Sequence, residues 1–163
     1  MLCSLVLALA AQDRPDQWMY ADSRETGSGP RLVLTLDGGE ERSVAPDADT
    51  VLIGYLPDGA YGALPSLSIN GGDTNRVLLR FPLDGLPRVR KAELVLEVHQ
   101  SQVPTTAPMN VAVRAVTEEW SERTTTWNLQ PKVAPDALLS FAMGPDEGTL
   151  RVDVTAAVLA WTS

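Results

Sequence analysis

The sequence predicts an all-β domain, sandwich or barrel, with one short helix near its C-terminus. Two observations carry that prediction. Apolar residues recur with period two in short runs, separated by turn residues at roughly 8–12 residue spacing. The chain also holds 12 Gly and 12 Pro in 163 residues, which favours short strands and turns over long helices.

Residues 2–11, LCSLVLALAA, open the chain with Leu5, Leu7 and Leu9 on one face of a strand and Val6 and Ala8 on the other. The rival reading is the apolar core of a signal peptide, but no Lys or Arg precedes Leu5 and a signal needs a basic start. The run is also too short to cross a bilayer, which takes about 20 residues. A strand is expected around Ser23-Arg24-Glu25, and Leu32, Leu34 and Leu36 alternate with Val33 and Thr35. Further strands are expected at Val51–Tyr55, Leu67–Ile69, Arg76–Phe81, Glu93–His99, Val111–Ala115 and Leu150–Val154. Gly38-Gly39, Pro57-Asp58-Gly59, Asn70-Gly71-Gly72, Asp84-Gly85 and Gly144-Pro145-Asp146 mark turns. Two helical hints stand out. Val154, Val158 and Trp161 share one face of a helix over 153–161, with Asp153 or Thr155 as its N-cap, and residues 117–122 read as a single turn.

Composition bounds the function. The 44% hydrophobic and 21% charged shares are those of an ordinary globular domain, and the length suits one domain with a real core. A net charge of −8 argues against nucleic acid, which needs clustered Lys and Arg. The single Cys and single His leave no disulfide framework and little material for His-based metal or triad chemistry. No phosphate-binding loop or nucleophile elbow is present. Cys3 reads as a small apolar filler at a strand start, and His99 faces outward by the alternation.

Several segments together resemble a known family. Asp73-Thr-Asn-Arg-Val-Leu-Leu-Arg-Phe81 followed by Leu86-Pro87 is similar to the name motif of the DNRLRE domain family. Ala92-Glu-Leu-Val-Leu resembles the next strand of that family. Val116–Glu122, Thr126-Trp-Asn128 and Gln130-Pro131 resemble its tryptophan-rich segment, and Asp153-Val-Thr155 through Trp161 its closing helix. Ala48–Val51, Tyr61-Gly62 and Ser66-Leu67 resemble its opening strands, so the likeness covers residues 46–163. The family pattern continues beyond the Trp161 position with further strands. Here Leu5–Leu7, Tyr20–Glu25 and Pro30–Leu34 look like those strands at the other end of the chain. That order implies a circular permutation, or a piece cut across the boundary of a tandem array. Residues 1–36 would then be the closing strands, 37–45 an acidic connector and 46–163 the rest of one domain. Residues 37–60 hold six acids and one base, which suits a solvated link.

The resemblance implies an antiparallel two-sheet β-sandwich, jelly-roll-like, from an extracellular or cell-surface protein. It also implies a non-catalytic module that holds polysaccharide, acidic polysaccharide such as alginate being one family ligand, in a shallow groove lined by aromatic and Arg side chains. Its partners are then polysaccharide and the other domains of a larger protein, with neither nucleic acid nor membrane insertion. The alternative, of a different class, is a spacer domain with no ligand of its own. Flat aromatic faces suit sugar C–H faces, which singles out Trp18, Tyr20, Tyr55, Tyr61 and Trp120; Trp127 and Trp161 read as core. Arg24, Arg76 and Arg80 suit bidentate grip of a uronate carboxylate, or else internal salt bridges to Glu25, Asp73 or Asp49. Asp47, Asp49 and Asp153 are oxygen ligands suited to a structural calcium ion, or else caps and turns. Glu118, Glu119 and Glu122 could supply paired carboxylates for glycoside hydrolysis, with a solvated turn as the plainer reading.

Overall fold

The computed structural model describes residues 4–162; Cys3 lies outside them. Eleven strands form, β1 (Ser4–Ala11), β2 (Trp18–Asp22), β3 (Arg31–Leu36), β4 (Glu41–Val44), β5 (Ala48–Ile53), β6 (Ser66–Asn70), β7 (Asn75–Pro82), β8 (Val89–Ser101), β9 (Met109–Ala115), β10 (Leu139–Met143) and β11 (Gly148–Asp153), followed by helix α1 (Thr155–Thr162). All pairings between them are antiparallel. One layer runs β10-β9-β1-β7-β5; the other holds β6, β2, β8 and β11, with the β3–β4 hairpin also paired to β8. A single pair, Asn70 with Asn75, joins the layers around the 3-10 turn Gly71–Asp73, so the hydrogen-bonded path is continuous and the sheet curls into a half-barrel. The all-β sandwich expectation holds.

The opening apolar run sits at the centre. β1 pairs on one edge with β7, Leu7 opposite Leu79, and on the other with β9, Leu9 opposite Val113. Its alternation is spent on both faces. Leu5, Leu7 and Leu9 enter the main core with Leu32, Leu34, Leu79, Phe81, Leu94 and Val113, while Ala8 and Val6 face a second, smaller cluster. Each fully buried Leu or Phe contributes roughly 1.5–3 kcal/mol of transfer free energy, so period two along eight residues secures two cores at once. Val154, just ahead of α1, and Ala157 and Val158 of α1 pack into the main core. Asp153 accepts a hydrogen bond from the Thr155 amide at 2.9 Å.

Three local expectations give way to different structure. Within the acidic stretch, Glu41–Val44 forms an edge strand, because Gly39 adopts φ 84° and the Leu36 amide closes the hairpin on Glu40. Ser23–Glu25 turns into a 3-10 segment, Arg24–Thr26: the Ser23 hydroxyl accepts from the Glu25 amide and Gly27 ends it at φ 81°. Residues 117–122 form no helical turn. The Thr117 amide bonds to the Lys132 carbonyl instead, so Glu118 and Glu122 share no helical face.

Candidate functional site

The two outer faces of the sandwich differ. The outer face of the β1–β7–β5 layer is roofed by the segment 116–134, whose Val116 and Val133 form a β-bridge. Trp120, only 8% exposed, and Trp127 pack there on Ala8, Ala48, Leu52 and Leu78. Period two on β7 then places Arg76 and Arg80 either side of Leu78, each beneath a roof tryptophan. The Arg76 guanidinium lies 4.8 Å from the Trp127 ring centre and that of Arg80 lies 5.6 Å from Trp120, where the ring face attracts a cation. Both are also held by ion pairs. Arg76 donates to Asp73 at 2.7 Å and to Gln130 at 2.6 Å; Arg80 donates to Asp47 at 2.6 Å.

Glu122 fastens the rim of the roof. Its Oε1 accepts from the Asp49 amide at 2.9 Å and from Arg24 Nε at 3.0 Å. Asp49 in turn accepts from the Arg24 amide at 2.8 Å. Asp49 is buried, and burial pushes its carboxyl up to about 6, against the opposing pull of the Arg24 amide. Glu118 serves the backbone as well: it accepts from the Lys132 amide at 2.9 Å, which holds it below the usual carboxylate range, and pairs with Lys132 Nζ at 2.9 Å. Both carboxylates thus serve backbone amides and nearby cations.

The outer face of the other layer builds no second buried cluster among the described residues. With Met19 and Ala21 turned into the core, alternation turns Trp18, Tyr20 and Asp22 outward on β2. The Trp18 and Tyr20 rings lie 5.0 Å apart, tilted by 59°, and Tyr20 is stacked with His99 of β8 at 6.1 Å and 13°. Trp18 and Tyr20 are partly exposed and His99 is exposed. A shift of register between Tyr20 and Ala21, where Tyr20 pairs with Gln100 and Ala21 with Val98, brings His99 level with the strip. Asp22 Oδ1 lies 2.9 Å from His99 Nδ1, and Ser66 Oγ lies 3.4 Å from Nε2. The result is a short row of three rings edged by a carboxylate and a hydroxyl.

The residues singled out in the sequence therefore fall in three places. Trp18 and Tyr20 stand together on the unroofed face. Arg76, Arg80 and Trp120 stand under the roof. Arg24, Tyr55 and Tyr61 gather at one end of the sandwich, where the β5–β6 loop meets the roof through Asn128 and Asp58 at 2.8 Å. Tyr55 is 69% exposed there, whereas the Tyr61 ring lies so close over Gly59 that a Cβ on that glycine would fall 2.3 Å from the Tyr61 hydroxyl. The ion pairs are internal; Arg76 meets Asp73 as expected, but Arg24 meets Glu122 and Arg80 meets Asp47. Asp47, Asp49 and Asp153 serve Arg80, Arg24 and Thr155 respectively, and among the described residues no cluster of three His, Cys, Asp or Glu is placed to hold a metal. His99 was legible only as an outward residue, since nothing local signals its stacking on a ring 79 positions earlier. A cavity of about 590 Å³ lies apart from all of these, between the β7–β8 turn and α1, with Leu86, Pro87, Val158 and Trp161 among its walls.

The family model for carbohydrate-binding module family 96 matches residues 40–163. The chain belongs to this family. Neither a curated protein nor a solved structure matches it. In this family 96 module the matched residues supply the roof, the Arg76–Leu78–Arg80 row and His99. The strands β1, β2 and β3, with Trp18 and Tyr20, lie ahead of the matched stretch and still provide the central strand and much of the core. Among the described residues no helix is long and apolar enough to cross a membrane.

Proposed function

We propose that this family 96 module is non-catalytic and holds polysaccharide on the unroofed face, along the row Trp18–Tyr20–His99. The observation that carries the reading is the pair of partly exposed aromatic rings 5.0 Å apart on a face with no cover. Rings within a sugar length of each other present flat apolar surface to pyranose C–H groups, while Asp22, His99 and Ser66 offer acceptors and donors to ring hydroxyls. A spacer domain has no reason to leave such rings part-exposed while burying Trp120 so thoroughly. The reading extends to an extracellular or cell-surface setting beside other domains, and to a DNRLRE-type sequence in permuted order. Support for the permutation comes from β1 and β3 completing both layers in cis although they precede the family match.

Affinity electrophoresis through gels containing single polysaccharides tests the binding reading. Retardation in at least one gel, lost in Trp18→Ala and Tyr20→Ala variants that melt like the parent, is the expected result. Unretarded migration across neutral and acidic gels leaves the spacer role standing.

A further inference from the structure

We propose that the open edge of β10 takes an extended strand of a partner protein, apolar at alternate positions and basic at its ends. The proposal is independent of the glycan reading and concerns the other layer. The Asn70–Asn75 pair joins the layers on one flank; away from it, β10 ends one layer and β11 the other. β10 pairs with β9, and among the described residues no other backbone group bonds to residues 139–143. Its outer row of N–H and C=O groups is therefore a template for one more strand. The remaining edges are defended. β4 carries Glu41 and Arg42, and β11 carries Arg151 and Asp153. On β5 every residue is buried, and Glu122 takes the Asp49 amide. Charge and cover of this kind keep strand edges from pairing.

β10 itself, Leu-Ser-Phe-Ala-Met, has neither a charge nor a proline. Ser140 and Ala142 are small and exposed, while Leu139 and Phe141 lie half-buried against the main core, as does Leu150 of β11. An added strand thus finds both a ladder and apolar side chains left part-covered. Charge selects the occupant. Asp136 precedes β10, and Asp146 and Glu147 follow it; all three are exposed, and none forms an ion pair among the described residues. A second copy laid antiparallel on β10 about Phe141 would set Asp136 against Asp146 at both ends, where like charges oppose pairing. Each molecule would also bring a net charge of −8. A strand with Lys or Arg at its ends meets opposite charge there instead. The five residues of β10 extend roughly 17 Å at strand rise, so the terminal lysines of a seven-residue segment overhang the strand toward those acids.

The probe is a labelled peptide, Lys-Val-Thr-Val-Thr-Val-Lys, titrated with the full chain and followed by fluorescence anisotropy. Binding is expected at about 0.1 M salt and is weaker at about 1 M, where the Debye length falls to about 3 Å. Hydrogen exchange at the amides of residues 139–143 is expected to slow in the complex. Two control peptides, one with Glu at each end and one N-methylated between the lysines, are expected not to bind. Asp136→Asn, Asp146→Asn and Glu147→Gln combined, all at exposed positions, should weaken binding roughly tenfold. Asp136→Lys with Glu147→Lys should transfer the preference to the Glu-ended peptide. Equal binding of the two charged peptides, binding of the N-methylated one, protection gained elsewhere than β10, or no binding at all overturns the proposal. Self-association of the chain without peptide, protecting the same amides, overturns the partner class and makes a second copy the occupant.

Discussion

Asp49 shows how one buried carboxyl ties local chemistry to stability. It sits 1% exposed on β5, one oxygen accepting the Arg24 amide and the other, Oδ1, without a protein partner. Its folded pKa of about 6 exceeds the ordinary value of 3.8, so between those values the folded chain holds a proton that the unfolded chain has released. The contribution of Asp49 is thus fully present below about pH 4 and fades as pH rises through 6. By pH 7 the ionised group costs on the order of 2–3 kcal/mol. Asp49→Asn retains an acceptor for the Arg24 amide and cannot ionise. Urea midpoints measured from pH 4 to pH 7 are expected to separate progressively in favour of the variant. Curves that stay parallel across that window would refute the assignment. Other residues were readable beforehand to different depths. Leu5, Leu7 and Leu9 announced themselves by alternation. The fates of Trp120 and Arg80 did not, because alternation tells which side of a strand a residue takes and leaves open what covers that side.

At the scale of elements, the roof is the part with least regular structure and the most side-chain fastening. Between Thr117 and Lys132 it forms no strand or helix, so its order comes from Trp120 and Trp127 on the alanine-lined face of β1 and β5, from Glu118 at one end and from Glu122 at the other. Glu122→Ala removes the acceptor for the buried Asp49 amide and the partner of Arg24, at an expected cost of about 1–3 kcal/mol. The loss should appear first as local opening. Hydrogen exchange and proteolytic nicking within 117–132 are expected to rise well before the amides of β1 and β7 lose protection. Simultaneous loss in both would show instead that roof and sandwich form one cooperative unit. Sequence reasoning found β9 ahead of the roof, offered no strand at the position of β10 behind it, and expected a helical turn inside it. The carboxylates that looked like a helical pair are drawn out individually to backbone amides of distant segments, Asp49 and Lys132, which no local pattern displays.

For the whole molecule the decisive fact is that the stretch recognised as family 96, residues 40–163, omits the strand in the middle of one layer. Without β1, strands β7 and β9 have no common neighbour, and Phe81, Val77 and Val113 face a gap where Leu5, Leu7 and Leu9 belong. Each Leu lost from such a site costs roughly 2–5 kcal/mol, against a total stability of about 5–15 kcal/mol. A fragment of residues 40–163 is therefore expected to be unfolded or aggregated, with no cooperative melt in circular dichroism. An intact sharp transition in that fragment would mean that the opening strands decorate the fold without completing it. The two-layer architecture could be foreseen from strand spacing and family likeness. The single Asn70–Asn75 link between layers, and the roofing of one face only, depend on long-range pairing that becomes visible only with every strand in place.

That placement also sets a timetable for biosynthesis. Leu9 must wait for Val77, and Leu7 for Ala115, while ribosomes add about 5–20 residues per second. A leucine-rich ribbon that is sticky on both sides therefore spends several seconds without its proper neighbours, a period in which a chaperone or a nascent copy of the same polypeptide competes for it.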